Sequence, residues 1–195
     1  AQVLIGGEIV AYTDFVIHNK WRKIVMKVLV TYATKHGATA EIAEKIGEIL
    51  TKEGLQTDVL PVKQVRDLTL YTAVILGSAV YVGRWRKEAV KFLEAYEQAL
   101  AERDVWLFSS GPTGEGDPVQ LLQGWQFPEG QQEVADRIQP HEIVVFHGEL
   151  DEEELNFIEK RMIKMVQAPT GDFRDWEGII TWATAVAETL KEQVS

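Results

Sequence analysis

The sequence predicts an α/β fold: a three-layer sandwich whose five-stranded parallel sheet, in the order 2-1-3-4-5, carries helices on both faces. Three observations predict it. Short apolar runs alternate along the chain with segments of helical period, the pattern of right-handed βαβ units. The runs are apolar at successive positions, as strands buried on both faces require. The first run, residues 27–32, passes through Thr34-Lys35-His36-Gly37-Ala38-Thr39 directly into an amphipathic helix. A doubly wound sheet that starts with such a turn gathers its ligand loops at one switch point.

The chain begins with a stretch that this plan does not need. Gln2–Ile5, Gly6-Gly7 and then residues 8–12 read as a hairpin on a two-residue turn. Met26 directly precedes the first core strand, so residues 1–25 are expected to be an extension and residues 26–195 the domain.

The core elements follow in order. Helix 39–52 sets Ile42, Ile46, Ile49 and Leu50 on one stripe, and Gly54 closes it as a C-cap glycine. Strand two is 56–61 and strand three 72–77. Helix 86–101 aligns Ala89, Phe92, Leu93, Tyr96 and Leu100. Strand four is 104–109 and strand five 142–147. A closing helix, 175–192, has Ile179, Ile180, Ala183, Val186 and Leu190 as its stripe. Two parts exceed a minimal five-strand plan. Residues 110–131 are rich in Gly, Pro and Gln and too long for a plain connection, which marks a functional or disordered loop. Residues 151–168 read as an extra helix whose acidic start and basic later turns complement the helix dipole.

Composition excludes several functions. The chain of 195 residues has no cysteine, so it has no disulfide, thiolate metal site, iron–sulfur cluster or cysteine nucleophile. The formal net charge of −10 argues against nucleic acid and against nonspecific binding to anionic lipid, and leaves room for a basic protein partner. No apolar run approaches the roughly 20 residues of a membrane span. No basic leader precedes the apolar start, which together with the lack of cysteine fits a reducing, cytoplasmic setting. The four histidines are scattered, without zinc-ligand spacing. His141 and His147 read as structural or surface residues, Trp106 and Trp182 as packing residues, and residues 151–154 as a solvated helix start.

Three loops carry the chemistry. In the first, Gly37 permits close backbone approach, Thr34 and Thr39 offer hydroxyls, and Lys35 and His36 add positive potential. With the free amides of a helix N-terminus around Ala38, this makes a phosphate cradle. It is neither a Walker loop nor a Gly-x-Gly-x-x-Gly fingerprint. In the second, Ser78, Ala79, Val80, Tyr81, Val82 and Gly83 follow strand three, with Tyr81 or Trp85 placed to cover a flat ring. In the third, Ser110, Gly111, Pro112, Thr113 and Gly114 expose backbone amides after strand four. Taken singly, the first loop also fits a capped turn, the second a loop packed on the core, and the third a plain mobile loop. All three fall at one switch point.

On these residues the chain resembles the flavodoxin superfamily. Within it, it resembles the bacterial menaquinone-dependent protoporphyrinogen oxidase-like branch. Thr34, Gly37 and Thr39 match the superfamily phosphate pattern, with His36 where a hydroxyl residue is usual. The branch likeness rests on Glu41-Ile-Ala43, on Gly77-Ser78-Ala79 with Tyr81 and Gly83, on the insert 110–131, and on Arg161-Met-Ile-Lys-Met165 followed by Asp175-Trp176-Glu177. The resemblance implies FMN as cofactor. It implies an oxidoreductase that passes electrons between a reduced substrate and a quinone-type acceptor, protoporphyrinogen-oxidase-like and peripheral to the membrane. The alternative is an electron carrier for a redox partner protein; a third is a scaffold without flavin. The branch has a basic insert, whereas residues 112–126 here carry acids and no Lys or Arg. Such a loop repels a carboxylated substrate, with Arg84, Arg86 and Lys87 as nearby compensation. No catalytic acid or base is assigned.

Overall fold

A computed structural model describes residues 2–5, 8–11, 27–166 and 168–193. Gln2–Ile5 (β1) and Glu8–Ala11 (β2) pair antiparallel, with Ile5 opposite Glu8. Tyr12 and the Gly6-Gly7 turn lie outside the described residues.

The main sheet is built from Lys27–Ala33 (β3), Gln56–Pro61 (β4), Ala73–Tyr81 (β5), Asp104–Ser110 (β7) and Glu142–Phe146 (β8). Its order is β4-β3-β5-β7-β8, and all four pairings are parallel. This is the 2-1-3-4-5 arrangement read from the sequence. The period of two along each strand divides the core. Leu29, Val74, Leu76, Val105 and Leu107 face one side, against Lys87–Ala95 (α2), Glu97–Leu100 (α3) and Gln132–Ile138 (α5). Val28, Val30, Ile75, Trp106 and Phe108 face the other, against Ala38–Lys52 (α1) and Trp176–Glu192 (α7). The predicted apolar stripes account for this packing, except that Ile180 is 37% exposed.

Several elements depart from the sequence reading. Strand β5 continues to Tyr81 and turns back through Arg84–Trp85 (β6), so residues 78–81 are strand and not loop. The helix expected over 86–101 breaks at Tyr96 (φ −106°, ψ 12°), whose hydroxyl donates to the Arg66 carbonyl at 2.9 Å. The insert holds a short helix, Pro118–Leu121 (α4), capped by the Asp117 side chain accepting from Gln120 N. Helix α5 was not foreseen; its apolar pattern is only Val134, Ala135 and Ile138.

The helix expected over 151–168 is also shorter. Residues 152–154 form a 3₁₀ turn, and the extended, buried Leu155 interrupts the run. Helix Phe157–Val166 (α6) then starts with Asn156 Oδ1 accepting from Ile158 N. Before and after α6, Glu149–Leu150 (β9) and Gly171–Asp172 (β10) pair antiparallel. No two-residue pairing of this kind has a local sequence signal.

Candidate functional site

The first loop leaves β3 at the carboxyl end of the sheet. Gly37 (φ 92°) occupies the N-cap position of α1 and donates its N–H to Thr34 Oγ1 at 3.1 Å. Its positive φ is a conformation glycine adopts without strain. The Gly37 carbonyl accepts from Ala40 N and Glu41 N, at 2.7 and 3.1 Å. The amides of Ala38 and Thr39 therefore sit in the first turn, where helix geometry supplies no partner. Thr39 is in that turn, at the helix N-terminus. It is 1% exposed and has no side-chain hydrogen bond among the described residues. A hydroxyl left in that state is available to an incoming acceptor.

The second segment is a hairpin. Val80 lies opposite Trp85 and Tyr81 opposite Arg84, with Val82 (φ 50°) and Gly83 (φ 65°) as the two-residue turn. Two positive φ angles are what the type I′ hairpin turn requires. Ser78 is fully buried; its hydroxyl donates to the Ala79 carbonyl (3.0 Å) and accepts from Arg86 N (2.9 Å). It is a strut of the hairpin and not a surface contact. Trp85 is 4% exposed, packs edge-on against Phe127 and donates Nε1–H to Ser109 Oγ at 2.9 Å. It is core, which removes it as a ring cover. Tyr81 is half-buried and lines the cleft. His36 lies edge-on to it with ring centroids 6.4 Å apart, Lys35 Nζ is 5.3 Å from its centroid and the Arg86 guanidinium 5.9 Å.

The third segment splits. Ser110 ends β7, and Gly111 packs so closely on the hairpin that a Cβ there would lie 2.9 Å from Val80 Cβ. Beyond it the chain turns toward β8. Gly148 N donates to the Pro112 carbonyl (3.0 Å), and the His147 ring contacts the carbonyls of Pro112 (3.3 Å) and Gly116 (2.8 Å). Gly114 instead faces Pro169 and Leu121.

These segments enclose a small cleft of about 50 Å³. Thr34, His36, Ala38 and Thr39 line it from the first loop, Ala79, Val80 and Tyr81 from the hairpin, and Ser110 and Gly111 from the third. Lys35, Gly37, Ser78, Val82, Gly83, Pro112, Thr113 and Gly114 do not. A fourth wall, Gly148, Glu149 and Leu150, was missed by the sequence reading.

Arg174 fastens that wall. Its side chain is 5% exposed, stacks on Trp176 (4.7 Å) and reaches Glu41 (2.8 Å), Glu149 (2.8 Å) and Asp172 (2.7 Å). The hydrogen bonds from Arg174 hold the Asp172 carboxyl below its ordinary range. Burial pushes Glu149 up; Arg174 pulls against this, while Asp172, Glu41 and Asp151 add to it. A carboxylate that resists ionisation thus stands at the edge of the cradle.

A larger groove of about 760 Å³ opens on the other side of the hairpin tip. Gly83, Arg84, Lys87 and Lys91 line it together with Trp125 and Glu129 of the insert.

Comparison with known proteins gives this arrangement a family. The chain is 21% identical over 173 residues to the protoporphyrinogen IX dehydrogenase (quinone) of Escherichia coli (strain K12), covering 83% of this chain and 95% of that protein. A flavodoxin from the domain Archaea superposes with a TM-score of 0.57 at 16% identity, over 85% of this chain and 99% of that one. The rubredoxin oxygen:oxidoreductase of Desulfovibrio gigas superposes with a TM-score of 0.58 at 14% identity, over 94% of this chain but only 41% of that protein. The family model of the flavodoxin domain matches residues 29–177, more than half of the sequence. The chain therefore belongs to the flavodoxin domain family, and is a flavodoxin-type redox protein with FMN as its cofactor.

Proposed function

We propose that the cleft at the start of α1 holds the FMN phosphate, and that the chain passes electrons between a reduced substrate and a quinone-type acceptor. FMN supplies the redox chemistry, and the protein binds and surrounds it. The residues fit the group at its phosphate end. Thr39, 1% exposed, lines the cleft with no side-chain hydrogen bond among the described residues, and the amides of Ala38 and Thr39 face no helical acceptor. The cleft has room for a phosphate and not for a ring system, so the ring lies outside it, flanked by Tyr81. Close packing of Gly111 on Val80 keeps side-chain bulk away from the third loop.

The observation that favours an enzyme over a carrier is the groove beside the hairpin. Its size is in the range of small-molecule sites. The insert that walls it with Trp125 is an addition to the minimal five-strand plan. Arg84, Lys87 and Lys91 outnumber Glu94 and Glu129 in its lining, so the groove is slightly cationic in a chain of net −10. The similarity to a quinone-linked dehydrogenase supports the same reading. The net charge favours the second reading, an electron carrier that docks on a basic partner. No helix among the described residues is long and apolar enough to cross a membrane. A cytoplasmic setting is part of this proposal.

Steady-state turnover of a soluble menaquinone analogue with candidate donors, without any partner protein, tests it. Sustained quinone reduction supports the enzyme. Turnover that appears only when a redox partner protein is added supports the carrier.

A further inference from the structure

The large apolar side chains left exposed are unevenly distributed. Of the seven among the described residues, Val82, Leu121, Phe157, Ile158 and Met165 all lie in segments that follow the carboxyl ends of strands β5, β7 and β8. This is the end of the sheet that carries the cleft. Three of the five are on α6: Phe157 is 81% exposed, Ile158 69% and Met165 77%.

Helix α6 also reverses the charge of the molecule. It carries Lys160, Arg161 and Lys164 against the single acid Glu159, in a chain of net −10. All three cations are exposed. Phe157, Arg161 and Met165 are four apart and share one row of the helix, with Lys160 and Lys164 in the adjoining row. Ile158 is three residues before Arg161 and joins the same side. The acids of the preceding turn come before the buried Leu155 and stand near the start of the helix, while Lys160, Arg161 and Lys164 lie one to two turns further on.

We propose that α6 lies on an anionic phospholipid surface, with Phe157, Ile158 and Met165 entering the headgroup boundary and the three cations meeting lipid phosphates. Interleaved apolar and cationic residues on one solvent-facing stripe are the property of interfacial helices. An acidic protein surface with an apolar centre is the competing occupant, and salt-dependent binding to protein-free vesicles distinguishes the two. The net negative charge argues against nonspecific binding but opposes this local docking only weakly, because charges beyond about 8 Å are largely screened at physiological salt. The stripe belongs to the excursion between β9 and β10, and β9 lines the cleft. Docking would therefore set the cleft end of the sheet toward the bilayer, where lipid-soluble acceptors reside.

The test is sedimentation of the full chain with sucrose-loaded vesicles of phosphatidylcholine, with and without phosphatidylglycerol. It needs no flavin, so its failure is distinct from failure of the FMN reading. Binding is expected with phosphatidylglycerol, weakening as salt is raised. The charge variant K160Q/R161Q/K164Q should lower the partition coefficient about a hundredfold. The apolar variant F157S/I158S/M165S should lower it at least about tenfold. All six side chains are exposed, so far-UV circular dichroism should match the wild type. Three results would overturn the proposal: equal or no binding to both vesicle types, either variant binding like the wild type, or self-association of the wild type that F157S/I158S/M165S abolishes.

Discussion

The guanidinium of Arg174 lies 2.8 Å from the carboxylate of Glu41, 133 residues earlier in the chain. Glu41 is on the first turn of α1, whose start lines the cleft, and Arg174 follows β10, which pairs with the wall of the cleft. The same guanidinium holds Asp172 and Glu149. An ionic hub, and not an apolar contact, fixes the fourth wall against the cradle.

Replacing Arg174 by Met should therefore destabilise the protein. Removing one partner of a buried pair costs about 3–5 kcal/mol. Here the carboxylates are 54%, 32% and 41% exposed and regain water, so about 1–3 kcal/mol is expected. Urea denaturation at neutral pH measures it. An unchanged midpoint would show that the hub is ornamental.

Glu149→Gln should act in the opposite direction. The raised carboxyl favours the protonated form in the folded state, so its contribution to stability is full below the ordinary value of 4.5 and is lost as pH rises through the raised value. The variant should be more stable than the wild type at pH 7, and the difference should vanish as pH falls toward 4.5. Because Glu149 also lines the cradle, the variant should bind FMN more tightly at pH 7, by about 1 kcal/mol. Thermal melts and FMN titrations across this range check both. Asp172, held low by Arg174, contributes stability above its unfolded value that is lost only as pH falls further.

Val82 is a β-branched residue at φ 50°, 81% exposed at the hairpin tip. Such a conformation costs about 1–3 kcal/mol, and Asn-Gly is the favoured pair for this turn. Val82→Asn should stabilise the protein by about 1 kcal/mol, read as a raised melting temperature. A lower value would mean that the Val82 side chain makes a contact in solution that offsets the strain.

Residues 1–25 are proposed to lie outside the domain. Among the described residues, the sheet path starts at Lys27, and β1 pairs only with β2. Deleting residues 1–25 should leave FMN uptake unchanged. Loss of uptake would place part of the site in that segment.

The sheet and its order were legible because each strand carries its own signal. Residues 28–30, 73–76 and 105–108 are apolar at successive positions, and the helices between them have clean stripes. The turn that opens α1 was legible because Thr34, Gly37 and Thr39 are local to one stretch of chain, and its role as a phosphate cradle remains part of the proposal. The hairpin return at Trp85 was not, since a buried tryptophan held by Ser109 looks in sequence like an exposed ring cover. Nor was the fourth wall. Glu149 reaches the cleft through a two-residue pairing with residues 171–172 and an ion pair to Arg174, and neither leaves a periodic trace.

The central claim is that the turn from Thr34 to Thr39 holds the FMN phosphate. It is tested most directly by titrating apoprotein with FMN and with riboflavin, in the wild type and in Thr39→Ala. The wild type should prefer FMN by about a hundredfold or more, the scale of two hydrogen bonds to a charged group. Thr39→Ala should weaken FMN by about 1 kcal/mol or more and leave riboflavin unchanged. Equal affinity for the two flavins, or an FMN affinity that Thr39→Ala does not alter, would contradict the assignment.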